Sequence, residues 1–178
     1  MNSYFKQQNL KILEDYFRNG CKLNCIQKLG MEIEHIIVHK DTKKAVTYYE
    51  DHGIGWLLAQ LKSYYPHFIY EQDSLLGLSN ADYSISLEPA AQFEISITPR
   101  EDIRTIMRIY RSFLNIIQPI LDQEGYELWN IGYQPESHVD DLPLIPKKRY
   151  RYMDRYFRTS GTRGRNMMRG TAATQISI

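Results

Sequence analysis

The sequence predicts an α+β domain in which an antiparallel sheet carries helices on its apolar face and carboxylates on its polar face. Residues 29–35 (LGMEIEH) and 86–99 (SLEPAAQFEISITP) predict the sheet, because polar and apolar residues alternate in both and successive side chains of a strand point to opposite faces. Apolar residues at helical spacing over residues 103–117 predict the helical layer. The 178 residues fit one domain of ordinary size.

Local patterns place the other elements in chain order. A first helix is predicted over residues 4–18, a second over 54–65, where Pro66 would end it, and a short one over 147–157. Loops are predicted over residues 135–146 and 161–166. The predicted strands are residues 28–40, 45–49, 67–72, 83–88, 92–97, 126–133 and 171–178.

The longest predicted helix has a clear start signal. Thr98 fits an N-cap, Pro99 the first helical position and Glu101 the third position of a capping box. The helix is expected to end at Pro119 and to bury one stripe, formed by Ile103, Ile106, Met107, Tyr110, Leu114 and Ile117.

The last predicted strand runs to the final residue without a turn signal or a polar tail. Native C-termini are normally exposed, so this pattern predicts a truncated or split chain. An unpaired apolar edge would also favour self-association.

Four carboxylates fall on the polar face of the predicted sheet, together with serines and Gln92. Their mutual repulsion favours a bound cation, and oxygen-only ligands suit Mg²⁺ or Mn²⁺. An antiparallel sheet also commonly has one solvated face, so the pattern by itself leaves both interpretations open. The four carboxylates belong to Glu32, Glu34, Glu88 and Glu94.

Charge is distributed unevenly along the chain. Residues 147–169 carry nine basic side chains and one acidic side chain, Asp154, so the rest of this chain of net charge +1 carries a net charge of −7. A basic segment beside an acidic body suits binding of a polyanion, or presentation of arginines to a phosphate whose metal lies on the acidic body.

Composition and simple motifs exclude several classes. The 43% apolar and 24% charged residues are typical of a folded globular protein. No uncharged run approaches the ~20 residues that span a bilayer, and the N-terminus lacks a secretory apolar core, so we expect a cytoplasmic protein without membrane contact. Cys21 and Cys25 are expected to be free thiols, and the predicted loop 161–166 lacks the phosphate-binding P-loop pattern. His35 falls on the apolar face, which predicts a hydrogen-bonded core or interface histidine rather than a catalytic base.

Three segments in order resemble glutamate-cysteine ligases of the plant and bacterial branch. GMEIEH (30–35) resembles the family's G-x-E-x-E strand, and SLEPAAQFEISITP (86–99) is similar to its S-L-E-P-G-G-Q-F-E-L-S stretch. Residues 149–177 (RYRYMDRYFRTSGTRGRNMMRGTAATQIS) resemble the segment that runs through G-T-x-G-x-x-M-M into a strand. Ala90 and Ala91 replace the common Gly-Gly, and Gln175 stands where some relatives carry histidine.

The resemblance implies that residues 1–178 form the N-terminal, incomplete part of a single ATP-dependent ligase domain with a glutamine-synthetase-like fold. It implies an enzyme that uses ATP to phosphorylate the side-chain carboxylate of glutamate, after which the amine of cysteine attacks the acyl phosphate. The product would be gamma-glutamylcysteine, in the first step of glutathione biosynthesis. The implied partners are ATP, glutamate and cysteine, and the 178-residue chain alone is expected to be inactive.

The resemblance also implies roles for individual residues. Mg²⁺ or Mn²⁺ would be held by Glu32, Glu34, Glu88 and Glu94. The basic segment would supply two catalytic arginines, Arg163 and Arg165. Contacts to substrate or ATP are expected from Gln92, Arg149, Arg169 and Gln175. Independently of the resemblance, we expect packing roles rather than ligand contacts from Tyr150, Tyr152 and Tyr156.

Two alternatives remain at this point. A related carboxylate-amine ligase could use another amine, because no residue that contacts the acceptor is identifiable. A nucleic-acid-binding module could use residues 147–169, where tyrosines interleave with basic residues. The second alternative leaves the carboxylate strands unexplained, and the acidic body would repel a polyanion.

Overall fold

The computed structural model describes residues 3–21 and 26–178. It confirms the α+β class and an antiparallel sheet, whose described strands pair in the order β2-β3-β4-β5-β1-β6, with β7 on β1. The strands are β1 (Leu29–His39), β2 (His67–Glu71), β3 (Ser74–Ser79), β4 (Tyr83–Leu87), β5 (Phe93–Arg100), β6 (Tyr126–Trp129) and β7 (Thr174–Ser177). The helices are α1 (Ser3–Gly20), α2 (Ile54–Leu61) with a 3₁₀ turn at Lys62–Tyr64, α3 (Ile103–Glu124), α4 (Lys148–Phe157) and α5 (Gly164–Gly170).

Strand β1 holds the sheet together because it pairs with three other strands. Its first half pairs with β5 along one edge and with β7 along the other. Its second half pairs with β6, from Ile36 opposite Trp129 to His39 opposite Tyr126. The half of β1 that carries the glutamates is therefore flanked on both sides.

The main core lies between the apolar face of the sheet and helices α2 and α3. Ile85, Phe93 and Ile95 from the sheet are fully buried, as are Leu58 of α2 and Phe113 of α3. Burial of large apolar side chains is the dominant favourable contribution to folding. The helical layer therefore fixes which face of the sheet remains available for function.

A second, smaller apolar cluster closes part of the opposite face. Ile36 and Val38 share the parity of Glu32 and Glu34 on β1, yet both are buried, against Leu142 from the segment that follows β6. Along β1, the polar face is consequently open beside the first half of the strand and closed beside the second half. This restriction concentrates the carboxylates in one region.

His35 lies in the main core, as its parity predicts. Its Nδ1 donates to the Phe93 carbonyl (3.0 Å), so its Nε2 accepts from the Tyr110 hydroxyl (2.7 Å). Burial lowers the pKa of His35, and the neutral ring satisfies both contacts.

Several predicted strands differ from the observed ones. Strand β3 was not predicted, because residues 75–78 are buried without the alternation that marks a half-exposed strand. The predicted strand 45–49 contributes only a single bridge between Ala45 and Val38, and β6 ends at Trp129 rather than at residue 133. The β-propensity of the residues indicated where strands lie, but the neighbouring strands with which they pair determine where each strand begins and ends.

The predicted boundaries of α3 are wrong at both ends. Residues 98–100 continue β5, and Asp102 caps the helix by accepting from the Thr105 amide (2.9 Å). The helix continues through Pro119, since Ile117 and Leu121 on either side of it are fully buried and this packing outweighs one missing hydrogen bond. It ends at Glu124 and is capped by Gly125, whose φ of 71° suits glycine. The predicted loop 161–166 overlaps α5, which begins at Gly164.

Two further expectations concern cysteine and membranes. Cys21 is an exposed free thiol, and Cys25 lies outside the described residues. Among the helices at 3–21 and 26–178, none is both long and apolar enough to cross a bilayer.

The turn between β4 and β5 places Ala91 in the left-handed region, at φ 67°. This conformation costs a residue with a Cβ roughly 1–2 kcal/mol. We expect Ala91→Gly to unfold with a free energy roughly 1–2 kcal/mol higher than Ala90→Gly, because both variants lose a buried methyl group but only the first relieves strain. Urea denaturation at neutral pH measures both free energies of unfolding. If the two variants lost equal amounts of unfolding free energy relative to wild type, the turn would not be strained.

Candidate functional site

Four half-buried glutamates lie on the open part of the polar face. Glu34 of β1 is opposite Glu94 of β5, and Glu32 is opposite Ser96 on one side and Gln175 of β7 on the other. Within residues 3–21 and 26–178, no three His, Cys, Asp or Glu side chains converge into a ready metal cage. The glutamates therefore form a negatively charged surface rather than a closed cation site.

Hydrogen bonds hold two of these carboxylates in place. Glu94 Oε1 accepts from the hydroxyls of Ser86 (2.7 Å) and Ser96 (3.1 Å) on neighbouring strand positions. Glu34 accepts from the Ala173 amide (2.9 Å) and, through its other oxygen, from the Gln175 side chain (3.4 Å). Strands β4, β5 and β7 thus position the glutamates of the face.

Burial and mutual repulsion disfavour ionisation here. The pKa of Glu34 is raised, first by burial and then by the charges of Glu88, Glu94 and Glu32. The pKa of Glu88 is likewise raised by burial and by Glu94, although Tyr150 and Arg149 oppose this shift. The face carries more negative charge than its own groups neutralise, which is the electrostatic condition for holding cations.

A positively charged side chain, Arg149, lies beside Glu88. Arg149 donates to the Tyr150 hydroxyl (2.8 Å), and its Nη2 lies 3.9 Å from Glu88 Oε1. Tyr150 is fully buried, its hydroxyl lies 3.2 Å from Glu88 Oε1, and burial raises its pKa to about 12. Tyr150 therefore packs as predicted, whereas Tyr152 and Tyr156 are mostly exposed, so the packing prediction is wrong for those two.

Gln92 joins the β4–β5 turn to the segment before β7. Its Oε1 accepts from the Ala90 amide (2.8 Å), and its Nε2 donates to the Thr171 carbonyl (2.9 Å) and approaches that of Met168 (3.4 Å). The side chain is buried, and these contacts occupy its amide hydrogens.

Two pockets flank the glutamates. A pocket of about 280 Å³ lies between the sheet and α5, with Glu34, Glu88 and Gln175 on its polar side and Met153, Met167 and Met168 on its apolar side. We call it the carboxylate pocket. Glu32 instead lines a pocket of about 380 Å³ at the other end of the face. The methionines were not predicted as site residues, although the M-M pair of the matched segment was a usable signal.

The other predicted arginines lie elsewhere. Arg169 is buried, where it donates to the Leu142 carbonyl (2.7 Å) and pairs with Asp154. Arg165 pairs with Asp140 and lies 3.4 Å from Asp154, while Arg163 is exposed. In the described part of the chain, none of the three forms an ion pair with the four glutamates, so the structure does not bring them to the carboxylate face.

Glu34 links this site to stability. Because its pKa is raised above 4.5 in the folded state, the folded protein binds more protons than the unfolded chain, and stability falls as pH rises from 4.5 towards the folded pKa. We expect Glu34→Gln to flatten this fall and, without added metal, to stabilise the protein at pH 7 by up to about 1 kcal/mol, or roughly 2–4 °C in Tm. Thermal denaturation between pH 4 and 8 measures the effect.

Glu127→Gln is the matched control. Lys43 holds the pKa of Glu127 below its usual value, so loss of this carboxylate should not stabilise the protein at pH 7. A Tm for Glu34→Gln equal to or below that of wild type throughout the pH range would contradict the assigned repulsion.

Comparison with known proteins confirms the resemblance. The family model "Glutamate-cysteine ligase family 2" matches residues 28–178. The chain is 30% identical over 164 residues to a chloroplastic glutamate–cysteine ligase of Arabidopsis thaliana, covering 92% of this chain and 31% of the relative. It is 31% identical over 163 residues to glutamate–cysteine ligase A of Oryza sativa subsp. japonica, covering 92% and 33%. The chain thus spans about a third of the length of these relatives.

The names of these relatives correct one expectation. Both are chloroplastic, which contradicts the predicted cytoplasmic location. The prediction rested on the lack of a secretory apolar core, and plastid targeting segments lack such a core as well. The match over residues 28–178, the order of the three segments and the carboxylate face they build agree on one assignment: the chain belongs to glutamate-cysteine ligase family 2.

Proposed function

We propose that this chain provides the metal-binding and phosphate-binding surface of an ATP-dependent glutamate-cysteine ligase. ATP would phosphorylate the side-chain carboxylate of glutamate, and cysteine would displace the phosphate through its amine to give gamma-glutamylcysteine, the first step of glutathione biosynthesis. The observation that supports this most strongly is the set of four half-buried glutamates on one open face, in a chain of this family.

The donor set fits Mg²⁺ or Mn²⁺. Mg²⁺ is usually held by one or two carboxylates, waters and substrate phosphates, so a dispersed set of glutamates suits it better than a closed cage would. The uncompensated charge that raises the pKa of Glu34 supports the same assignment. When bound, such ions would neutralise charge on the phosphoryl group in transfer. The proposed ligands are Glu32, Glu34, Glu88 and Glu94.

Arg149 and Gln175 are the proposed contacts to substrate or ATP. Arg149 lies beside Glu88 and retains donors beyond the one that binds Tyr150, so its planar fork can bind a phosphate or the substrate carboxylate. Gln175 is exposed, lies next to Glu34 and lines the carboxylate pocket. Glutamate in this pocket would place its carbon chain against Met167 and Met168.

Gln92, Arg165 and Arg169 receive positioning roles in this proposal. Gln92 already donates its amide hydrogens to backbone carbonyls, so it shapes the carboxylate pocket by holding the β4–β5 turn against the end of α5. Arg165 and Arg169 pair with Asp154 of α4 and thereby tie α5 to α4. The earlier prediction of catalytic contacts from Arg163 and Arg165 has no support in the geometry.

We further propose that residues 1–178 are the N-terminal part of a single catalytic domain with a glutamine-synthetase-like fold. The open polar face of an antiparallel sheet supports this assignment. The nucleic-acid alternative loses support, because Arg158, Arg165 and Arg169 share Asp154 and are not arranged along a free basic surface.

Metal binding is testable at Glu94. Replacement by Gln keeps the shape and removes the charge, so we expect Glu94→Gln to bind Mg²⁺ or Mn²⁺ about tenfold more weakly by titration calorimetry. Glu136→Gln, at an exposed position in the segment that follows β6, should bind like wild type. Equal affinities for Glu94→Gln and wild type would place the metals elsewhere.

The reaction is testable by product analysis. We expect the enzyme that contains this chain to form ADP and gamma-glutamylcysteine from ATP, glutamate and cysteine, and to turn over faster with cysteine than with other amines at equal concentration. The 178-residue chain alone should form no product, since the relatives it matches are about three times as long. Faster turnover with several unrelated amines would exclude cysteine as the acceptor, and gamma-glutamylcysteine synthesis by the purified monomeric chain would show that no further sequence is needed.

A further inference from the structure

A third pocket, of about 430 Å³, lies where the loop after α4 enters α5. We call it the arginine pocket, and its lining includes Arg158, Arg163, Arg165, His138, Asp140 and Asn166. It shares no lining residue with the carboxylate pocket. Its chemistry must therefore be explained separately.

Positive charge exceeds negative charge around this pocket. Asp154 accepts from Arg158 (2.8 Å) and pairs with Arg169, and Asp140 pairs with Arg165. With the exposed Arg163, four guanidinium groups therefore face two carboxylates, an excess of two positive charges. Within residues 3–21 and 26–178, no hydrogen bond or ion pair involves the Arg163 guanidinium.

Hydrogen-bond donors also exceed acceptors here. The buried Nε of Arg165, which lines the pocket, has no hydrogen-bond partner among the described residues, and Asp154 Oδ1, 3.4 Å away, is shared with Arg169. The carboxylates present do not saturate these guanidinium groups. An oxyanion with several acceptor atoms would supply both the missing charge and the missing acceptors.

We propose that the arginine pocket binds a small phosphorylated molecule, separate from the ATP that reacts. A phosphate dianion matches the excess of two charges, and the arginine fork matches phosphate geometry. The volume exceeds that of inorganic phosphate and lies in the range of small-molecule sites, while Phe157 and Val139 provide an apolar wall for the rest of the ligand.

Helix α5 connects this ligand to the proposed active site. Arg165 lies in the arginine pocket, and Met167 and Met168 of the same helix line the carboxylate pocket. A phosphate held by Arg165 and Arg163 would fix the start of α5 and, with it, the methionine wall. Binding of a phosphorylated metabolite in the arginine pocket would thus change the shape of the carboxylate pocket and, with it, the activity of the ligase.

The test is calorimetric titration of the 178-residue chain with inorganic phosphate at constant ionic strength and neutral pH. We expect saturable binding, a loss of about tenfold in affinity for Arg163→Gln, and no change for Arg155→Gln, an exposed α4 residue outside the pocket. Arg163 has no partner to lose, so its variant should fold like wild type, which circular dichroism verifies.

Three results would overturn the proposal. The first is the absence of saturable binding at millimolar phosphate. The second is an equal loss of phosphate affinity in Arg163→Gln and Arg155→Gln, which would indicate nonspecific charge attraction. The third is binding of succinate as tight as that of phosphate, which would exclude the phosphate class.

Discussion

The pairing of β1 with β5 places Glu34 directly opposite Glu94, and much of the remaining structure accommodates this contact between like charges. Opposed carboxylates on neighbouring strands are unfavourable by themselves. Serine hydroxyls on Glu94, the Ala173 amide on Glu34 and the Arg149–Tyr150 pair near Glu88 each offset part of the repulsion. The burial of phenylalanine, leucine and isoleucine side chains on the other face fixes the register, so the strands cannot slip to separate the charges. The protein thus sustains an electrostatic strain that a cation would relieve.

The carboxylate face could be predicted from the sequence because alternate residues of a strand always point to the same face of the sheet. Glu32, Glu34 and Glu94 could be assigned to a common surface from parity alone, and His35 to the core from the same parity. Strand β3 could not be predicted in this way, since both its faces are buried and its apolar run does not alternate. The start of α3 was mispredicted because Thr98 and Pro99 fit a capping pattern as well as Asp102 does, and only the pairing of Arg100 with Leu29 decides between them.

The basic segment was the harder part of the site to predict. Charge counting marks all nine basic residues alike, but their roles depend on where the few acidic partners lie. Asp154 is the single acid between residues 147 and 169, and its burial beside Arg158, Arg165 and Arg169 removes two of the predicted site arginines from the carboxylate face. Arg149 remains because α4 presents it next to Tyr150 and Glu88, a contact over about sixty positions that sequence spacing does not reveal.

The pairing of β1 with β7 has a consequence for how the protein folds. The contact between Glu34 and Ala173 spans 139 positions, whereas the β4–β5 hairpin closes over a few residues. Non-local contacts of this kind form slowly, because loop closure must precede them. During synthesis, one edge of the first half of β1 therefore stays unpaired until nearly all of the 178 residues have left the ribosome, and in that interval its exposed backbone is open to pairing with other nascent chains. The geometry that completes the carboxylate face thus also sets a period of vulnerability to misassembly.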